Sequence, residues 1–288
     1  MIWNLGSINI DNSYEVTHLP AAGETLAARS YHCGLGGKGA NMSVAAARAA
    51  APVSHIGAVG VDGKWARDRL MEYGVDTPHI ALIDVPTGHA NIVVDAAGEN
   101  SIVLFQGANI ELSEAMIGTA LSEASPGDFL VMQNETNGQE YAATIARSLG
   151  LRVVYAAAPF DAKAVAAVAA QTDLLVLNAI EAAQLAEATG TPLENLGIPD
   201  IVVTLGADGC KWVSKGRVRA FDAYPAKSVD TTGAGDTFTG YLVAGLDRGL
   251  GMEAAIDLAL RAASLMVMRY GTADVIPDLK EIQDQFGD

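Results

Sequence analysis

Asp236 lies in the run Asp230–Gly240, DTTGAGDTFTG, directly behind three residues with almost no side chain. Gly233, Ala234 and Gly235 leave their N–H groups unobstructed at the start of an amphipathic segment predicted to be helical from Asp236 to Arg248. The positive end of a helix can hold a phosphoryl oxygen through such amides without a cationic side chain. A carboxylate in the same turn can take a proton from an attacking hydroxyl. An acid at a helix start is also an ordinary cap. Capping alone, however, gives no reason for the small residues on the side an anion would occupy.

A second run, GLGGKGAN at Gly34–Asn41, also leads into a predicted helix. Gly34, Gly36 and Gly39 match GxGxxG, with Asp62 at about the distance of a ribose-binding acid. The run follows the polar SYHC, however, and no buried strand and βα turn precede it. Gly37-Lys38 resembles the end of a Walker loop, but Gly39 stands where a magnesium-binding Ser or Thr belongs. What remains is a flexible turn in which Gly37 allows backbone approach and Lys38 and Asn41 can hydrogen-bond a polyhydroxyl ligand.

The elements that must position these residues belong to a 288-residue chain, half of it hydrophobic, enough for a substantial core. The formal net charge of -16 and the lack of any basic run argue against a nucleic-acid partner. A polyphosphate ligand would have to be held by backbone amides, a placed lysine and divalent metal. Cys33 and Cys210 form no CxxC pair, so neither a disulfide framework nor a zinc site is expected, and a reduced cytoplasmic setting follows. The five histidines have no metal-binding spacing, and Ser7 and Ser43 lack a GxSxG context. No apolar stretch reaches the length of a membrane span.

Short apolar runs alternate with longer amphipathic ones, which predicts an α/β fold with a central, mostly parallel sheet flanked by helices. The predicted strands are 2–8, 53–59, 129–132, 153–156, 174–177 and 201–205. The predicted helices are 41–51, 113–122, 139–149, 162–169, 180–188, 236–248 and 253–270. Two stretches, about 11–33 and 79–109, break the rhythm and read as extended chain. TGHANIVVD and SIVLF flank the turn sequence AAGEN, the pattern of a hairpin. The expectation is a single domain, 1–288, with a small β-sheet lid that closes over a ligand or pairs two copies as a homodimer.

GGKGAN and DTTGAGD together resemble the paired signatures of the ribokinase-like, or phosphofructokinase B-type, sugar and nucleoside kinases. GSINID, PAAGET, GENSIVLFQGAN, MQNE, NAIE and TLGADG extend the resemblance over nearly the whole chain. Within the family the segments are most similar to those of ribokinases.

The resemblance implies ATP-dependent phosphorylation of a small sugar, first of all ribose, with magnesium as cofactor. It assigns the catalytic base to Asp236 and an anion hole to Gly233, Ala234 and Gly235. It puts Asn9, Asp11, Gly37, Lys38, Asn41, Glu135 and Asp236 on sugar-binding positions. Asn178, Thr204, Gly206, Gly209 and Gly235 fall on nucleotide-binding positions, and Glu181 on a water-mediated magnesium position. Taken alone, Asn178 and Glu181 are also a helix cap and a capping-box acid. Asp230 and Thr232, with the backbone near Met266, Arg269 and Gly271, correspond to stretches that bind potassium in ribokinases. Three residues depart from the ribokinase pattern: Met42 in place of glutamine, Leu260 in place of a polar residue near the adenine, and Val275 in place of serine. Another pentose, a ketohexose or a nucleoside therefore stays open as substrate. From other classes, a non-catalytic sugar-binding regulator and an NAD-dependent dehydrogenase built on GxGxxG are the alternatives.

Overall fold

A computed structural model describes residues 1–287. In chain order the first half runs β1 (Ile2–Leu5), β2 (Asn9–Glu15), β3 (Ser30–Gly36), α1 (Lys38–Arg48), β4 (Val53–Gly60), α2 (Lys64–Glu72), β5 (Ile80–Ile83), β6 (Gly88–Val94), β7 (Asn100–Phe105), α3 (Glu114–Leu121) and β8 (Phe129–Met132). The second half runs α4 (Gln139–Leu149), β9 (Arg152–Ala156), α5 (Ala162–Val168), β10 (Leu174–Asn178), α6 (Ala179–Thr189), β11 (Asp200–Thr204), β12 (Cys210–Ser214), β13 (Arg217–Phe221), α7 (Ala234–Asp247), α8 (Met252–Met266) and α9 (Leu279–Phe286).

Nine strands form one sheet in the order β13-β12-β11-β10-β9-β8-β1-β4-β5. The strands from β11 to β5 are parallel, and β12 and β13 return antiparallel at the edge. Every residue of β1, β4 and β8 is buried, which is why these strands show no regular polar alternation; Asn4, Ser54 and His55 are the buried polar exceptions. Successive side chains feed opposite layers. Ile2 joins α1, α7 and α8 on one face, while Trp3 and Leu5 join α3, α4 and α5 on the other.

The second sheet has the order β3-β2-β6-β7. Its inner strands β2 and β6 run parallel, and each carries an antiparallel outer partner. The predicted hairpin is β6–β7. Ile102, Val103, Leu104 and Phe105 of β7 are exposed.

Several boundaries differ from the sequence reading. The segment 79–109 was expected to lie outside the main sheet, but Ile80–Ile83 pairs in parallel with β4, so the small sheet begins only at Gly88. Strand β1 stops at Leu5 because Gly6 and Ser7 lead the chain across to the small sheet. Helix α8 ends at Met266 rather than Tyr270, and the following carbonyl, Val267 O, accepts from the N–H groups of Val229 and Asp230. Helices α2 and α9 and the β12–β13 hairpin were not predicted. Among the described residues no helix is long and apolar enough to cross a membrane.

Candidate active site

The motif side chains meet beyond the carboxyl ends of β1 and β8, the usual binding edge of a parallel α/β sheet. Helix α1 begins right against the chain leaving β1: a Cβ on Gly6 would lie 2.5 Å from Gly39 Cα. Two glycines are needed there because any side chain would push the helix start away from the strand. At Gly37 the backbone has φ 93°, a left-handed conformation that glycine adopts without strain.

From this crossing Ser7 Oγ donates to Glu135 Oε2 at 2.5 Å, and the Lys38 N–H donates to the same oxygen at 3.1 Å. The Gly39 N–H in turn donates to Ser7 Oγ at 3.2 Å. Asn41, in the first turn of α1, donates from Nδ2 to Asp236 Oδ2 at 2.9 Å. Its own Oδ1 is buried without a hydrogen-bond partner, an acceptor available to a hydroxyl donor. Asn9 is buried, with Oδ1 accepting from Asn109 Nδ2 at 2.8 Å.

This cluster is acidic with one cation in it. Burial pushes the Asp236 carboxyl above its ordinary value, while the Lys38 ammonium and the Asn41 hydrogen bond pull it back. Asp11 is raised to about 7, first by burial and then by the charges of Glu135 and Asp236. Lys38 is raised chiefly by the Asp236 charge, against its own burial, and also by Glu135 and Glu181. A lysine so placed stays charged and can face a phosphate while steadying the acids.

Lys38 and Asp236 also line a cavity of about 850 Å³. Asn178, Glu181, Thr204, Gly206 and Gly209 line it too, as do Gly233, Ala234 and Gly235. The small residues stand at the start of α7, where Gly233 has φ 75° and a Cβ on Gly235 would meet nothing within 4 Å. The helix start thus presents open backbone to the cavity beside the Asp236 carboxylate. Asn178 and Glu181 form a capping box on α6: Asn178 N donates to Glu181 Oε2 at 2.7 Å and Glu181 N to Asn178 Oδ1 at 2.9 Å. Capping uses one Glu181 oxygen and leaves the other free. Burial raises the Glu181 carboxyl, opposed by the Asn178 N–H and Lys38.

Beside the start of α7, the structure brings Asp230 and the 266–271 segment together. Asp230 Oδ1 accepts from Thr232 N at 2.9 Å and Oδ2 from Gly271 N at 3.2 Å. The Met266 carbonyl accepts from Arg269 N, and the Arg269 guanidinium donates to Val275 O at 3.1 Å. Each Asp230 oxygen keeps lone-pair capacity for a cation. Val275 offers no hydroxyl there.

Two residues outside the predicted set belong to the cluster. Ser7, which has no GxSxG context in the sequence, orients Glu135. Asn109 anchors the entry to β2, its Oδ1 accepting from Ile8 N at 2.9 Å while its Nδ2 holds Asn9. The GAN triplet at 107–109 carried Asn109 in the family resemblance, but only the fold sets it against Ile8 and Asn9.

The chain and its fold have relatives among known proteins. The chain is 36% identical over 291 residues to the ribokinase of Haemophilus influenzae, covering 96% of this chain and 95% of that one. The ribokinase of Cryptococcus neoformans in complex with ADP superposes with a TM-score of 0.86 at 31% identity, over 99% of both chains. Arabidopsis thaliana ribokinase complexed with ribose and ATP gives a TM-score of 0.86 at 28% identity, over 98% of this chain and 97% of that one. The sequence profile of the pfkB family carbohydrate kinases matches residues 1–279. That match over nearly the whole chain, with a relative at 36% identity, shows that the chain belongs to the pfkB family of carbohydrate kinases and is an ATP-dependent enzyme of that class.

Proposed function

We propose that the chain transfers the γ-phosphoryl group of ATP to the primary hydroxyl of ribose, giving ribose 5-phosphate and ADP. The observation that carries this reading is the position of Asp236, whose buried carboxylate lies between the polar cluster of Asn41 and Lys38 and the open helix start at Gly233–Gly235. The sugar is held by Asn9, Asp11, Gly37, Lys38, Asn41 and Glu135, whose amides and carboxylates suit a neutral polyol. The nucleotide lies along Asn178, Thr204, Gly206, Gly209 and Gly235. Ribose is the first choice because the relatives reported above are named ribokinases.

Asp236 removes the hydroxyl proton as the sugar oxygen attacks the γ-phosphorus in line. The Gly233, Ala234 and Gly235 amides hold the transferring group, whose charge is spread over its oxygens. Burial raises the proton affinity of Asp236 and so makes it a better base than an exposed carboxylate. Magnesium bound with the nucleotide supplies charge neutralisation, and Glu181, with one oxygen outside its capping box, would hold it through water beside Asn178. Potassium would sit at Asp230 and Thr232 with the carbonyls of Met266, Arg269 and Gly271. The small sheet acts as a lid that excludes water from the site. Its exposed β7 face supports pairing of two copies as a homodimer, tested by sedimentation at micromolar concentration; a monomer there would count against it.

The testing experiment is magnesium-dependent ADP release across a sugar and nucleoside panel, with and without potassium, beside Asp236→Asn. Turnover on ribose that vanishes in the variant is expected. Turnover on another sugar or a nucleoside keeps the mechanism and replaces the substrate. Sugar binding without any turnover would instead favour a regulatory role.

A further inference from the structure

Beneath the sugar cluster lies a chain of buried polar side chains that the reaction itself does not use. Asn4 on β1, Ser43 on α1, His55 on β4 and Gln133 just past β8 are each at most 1% exposed. Asn4 Nδ2 donates to Gly39 O and to Ser43 Oγ, both at 2.8 Å. Ser43 Oγ and His55 Nδ1 are 2.8 Å apart, and His55 Nε2 is 2.9 Å from Gly6 O. Gln133 Nε2 donates to Asn4 Oδ1 at 2.8 Å.

Both carbonyl ends can only accept, so they dictate every proton between them. Because Gly6 O accepts, His55 carries its hydrogen on Nε2, and Nδ1 is left to accept from Ser43. Because Gly39 O accepts, the Asn4 amide group faces the helix and its oxygen faces Gln133. Burial pushes the His55 imidazole down to about 4, which keeps it in this singly protonated form at ordinary pH. The direction is continuous: Gln133 to Asn4, Asn4 to Ser43, Ser43 to His55, His55 to Gly6.

What the chain ties together is the glycine crossing itself. Gly6 N also donates to Ile56 O at 3.1 Å, so both polar groups of Gly6 are held by β4. Gly39, at the other end, directly follows Lys38 and lies two residues before Asn41, and its N–H reaches Ser7, the donor to Glu135. We infer that Asn4, Ser43 and His55 are positioning residues of the sugar site, setting the start of α1 against the Gly6–Ser7 crossing and thereby the placing of Lys38, Asn41 and Glu135. The consequence for sugar affinity rests on the proposed sugar-kinase reading. The mechanical claim does not.

Two readouts separate these levels in the full-length protein. Ser43→Ala breaks the chain at its centre; Ser43→Ala combined with His55→Phe removes the stranded imidazole as well, should the single variant fold poorly. Val168→Ala, in α5 away from the site, is the control for simple loss of core packing. Amide hydrogen exchange of the unliganded proteins is expected to accelerate at residues 38–41 in the Ser43 variants but not in the control. Sugar KM is expected to rise about tenfold, the scale of one lost buried hydrogen bond, with ATP KM within about twofold of the parent. Exchange at 38–41 and a sugar KM that match the control would overturn the inference and leave the network a purely structural one. If the parent turned over no sugar at all, the proposed function would fail while the exchange comparison still decided the positioning claim.

Discussion

Asn41 Nδ2 and Asp236 Oδ2 lie 2.9 Å apart although 195 residues separate them in the chain. Each stands in the first turn of its helix, and the two helices approach closely because Gly240 has no side chain. A Cβ there would sit 2.5 Å from Ala45 Cβ and 2.6 Å from Met42 O. The small residue that follows the acid by one helical turn therefore lets the amide of one motif reach the carboxylate of the other. The bond orients Asp236 and stabilises its charged form against burial.

Replacing the proposed base tests the chemistry directly. Asp236→Asn keeps the shape and can keep a hydrogen bond to Asn41, but it cannot accept the hydroxyl proton. kcat should fall by about 100-fold to 10,000-fold, while the melting temperature holds or rises, because a buried charge has been removed. Steady-state kinetics and thermal unfolding on the same preparation check both halves.

Gly235→Ala separates the proposed anion hole from the fold. Nothing lies within 4 Å of the added Cβ, and Gly235 is helical, so stability should change by less than about 1 kcal/mol and in the favourable direction. The methyl group nevertheless enters the space over the helix start where a phosphoryl group has to sit. A fall in kcat of at least about tenfold is expected at a melting temperature no lower than that of the parent. Full activity would mean that phosphate approaches from elsewhere.

Asn109→Ala removes the acceptor of the buried Ile8 N–H and the donor to Asn9 together. An unsatisfied buried donor costs about 1–3 kcal/mol, so urea unfolding should show a loss of that size. Sugar KM should rise because Asn9 is no longer held, whereas ATP KM should stay near the parent value.

Asp11 gives a pH signature of opposite sign to the usual carboxylate. Its pKa is raised from 3.8 to about 7, so between those values the folded protein binds more protons at this site than the unfolded chain does. Stability contributed here is present below about pH 4 and is lost as pH rises toward 7. Asp11→Asn should therefore melt higher than the parent at pH 8, by an amount on the order of 1–2 kcal/mol after solvent screening, with the gap closing near pH 4. Sugar affinity in the same variant should drop, since the carboxylate acceptor is gone. An equal melting difference at both pH values would show that the Asp11 charge is not destabilised by burial and its acidic neighbours.

Much of the site was legible in sequence because its parts are local. GGKGAN and GAGD each specify a helix start, and helix starts bring amides, small residues and one polar side chain into a single turn whatever the rest of the fold does. The capping box of Asn178 and Glu181 is likewise complete within four residues. The parallel sheet was legible from its apolar runs, since strands buried on both faces leave no polar alternation. Helix α9 could have been read as well: Asp278 and Glu281 form a capping box, and Leu279, Ile282 and Phe286 share a face. Helix α2 carries a weaker signal, with only Ala66 and Leu70 buried.

Other features depended on partners distant in sequence, which local patterning cannot name. Ile80–Ile83 is a strand in either sheet by composition, and only its pairing with Gly57–Gly60 puts it in the large one. Ser7, Asn109 and His55 are ordinary polar residues in the sequence. Buried polar groups must find partners, so the packed interior decided which carbonyl, amide or carboxylate each would meet. The residue types that can do phosphoryl chemistry were thus written in two short motifs, whereas the tertiary structure alone decided how those motifs are held at bonding distance, because that distance depends on glycine crossings and buried hydrogen bonds between strands and helices far apart in the chain.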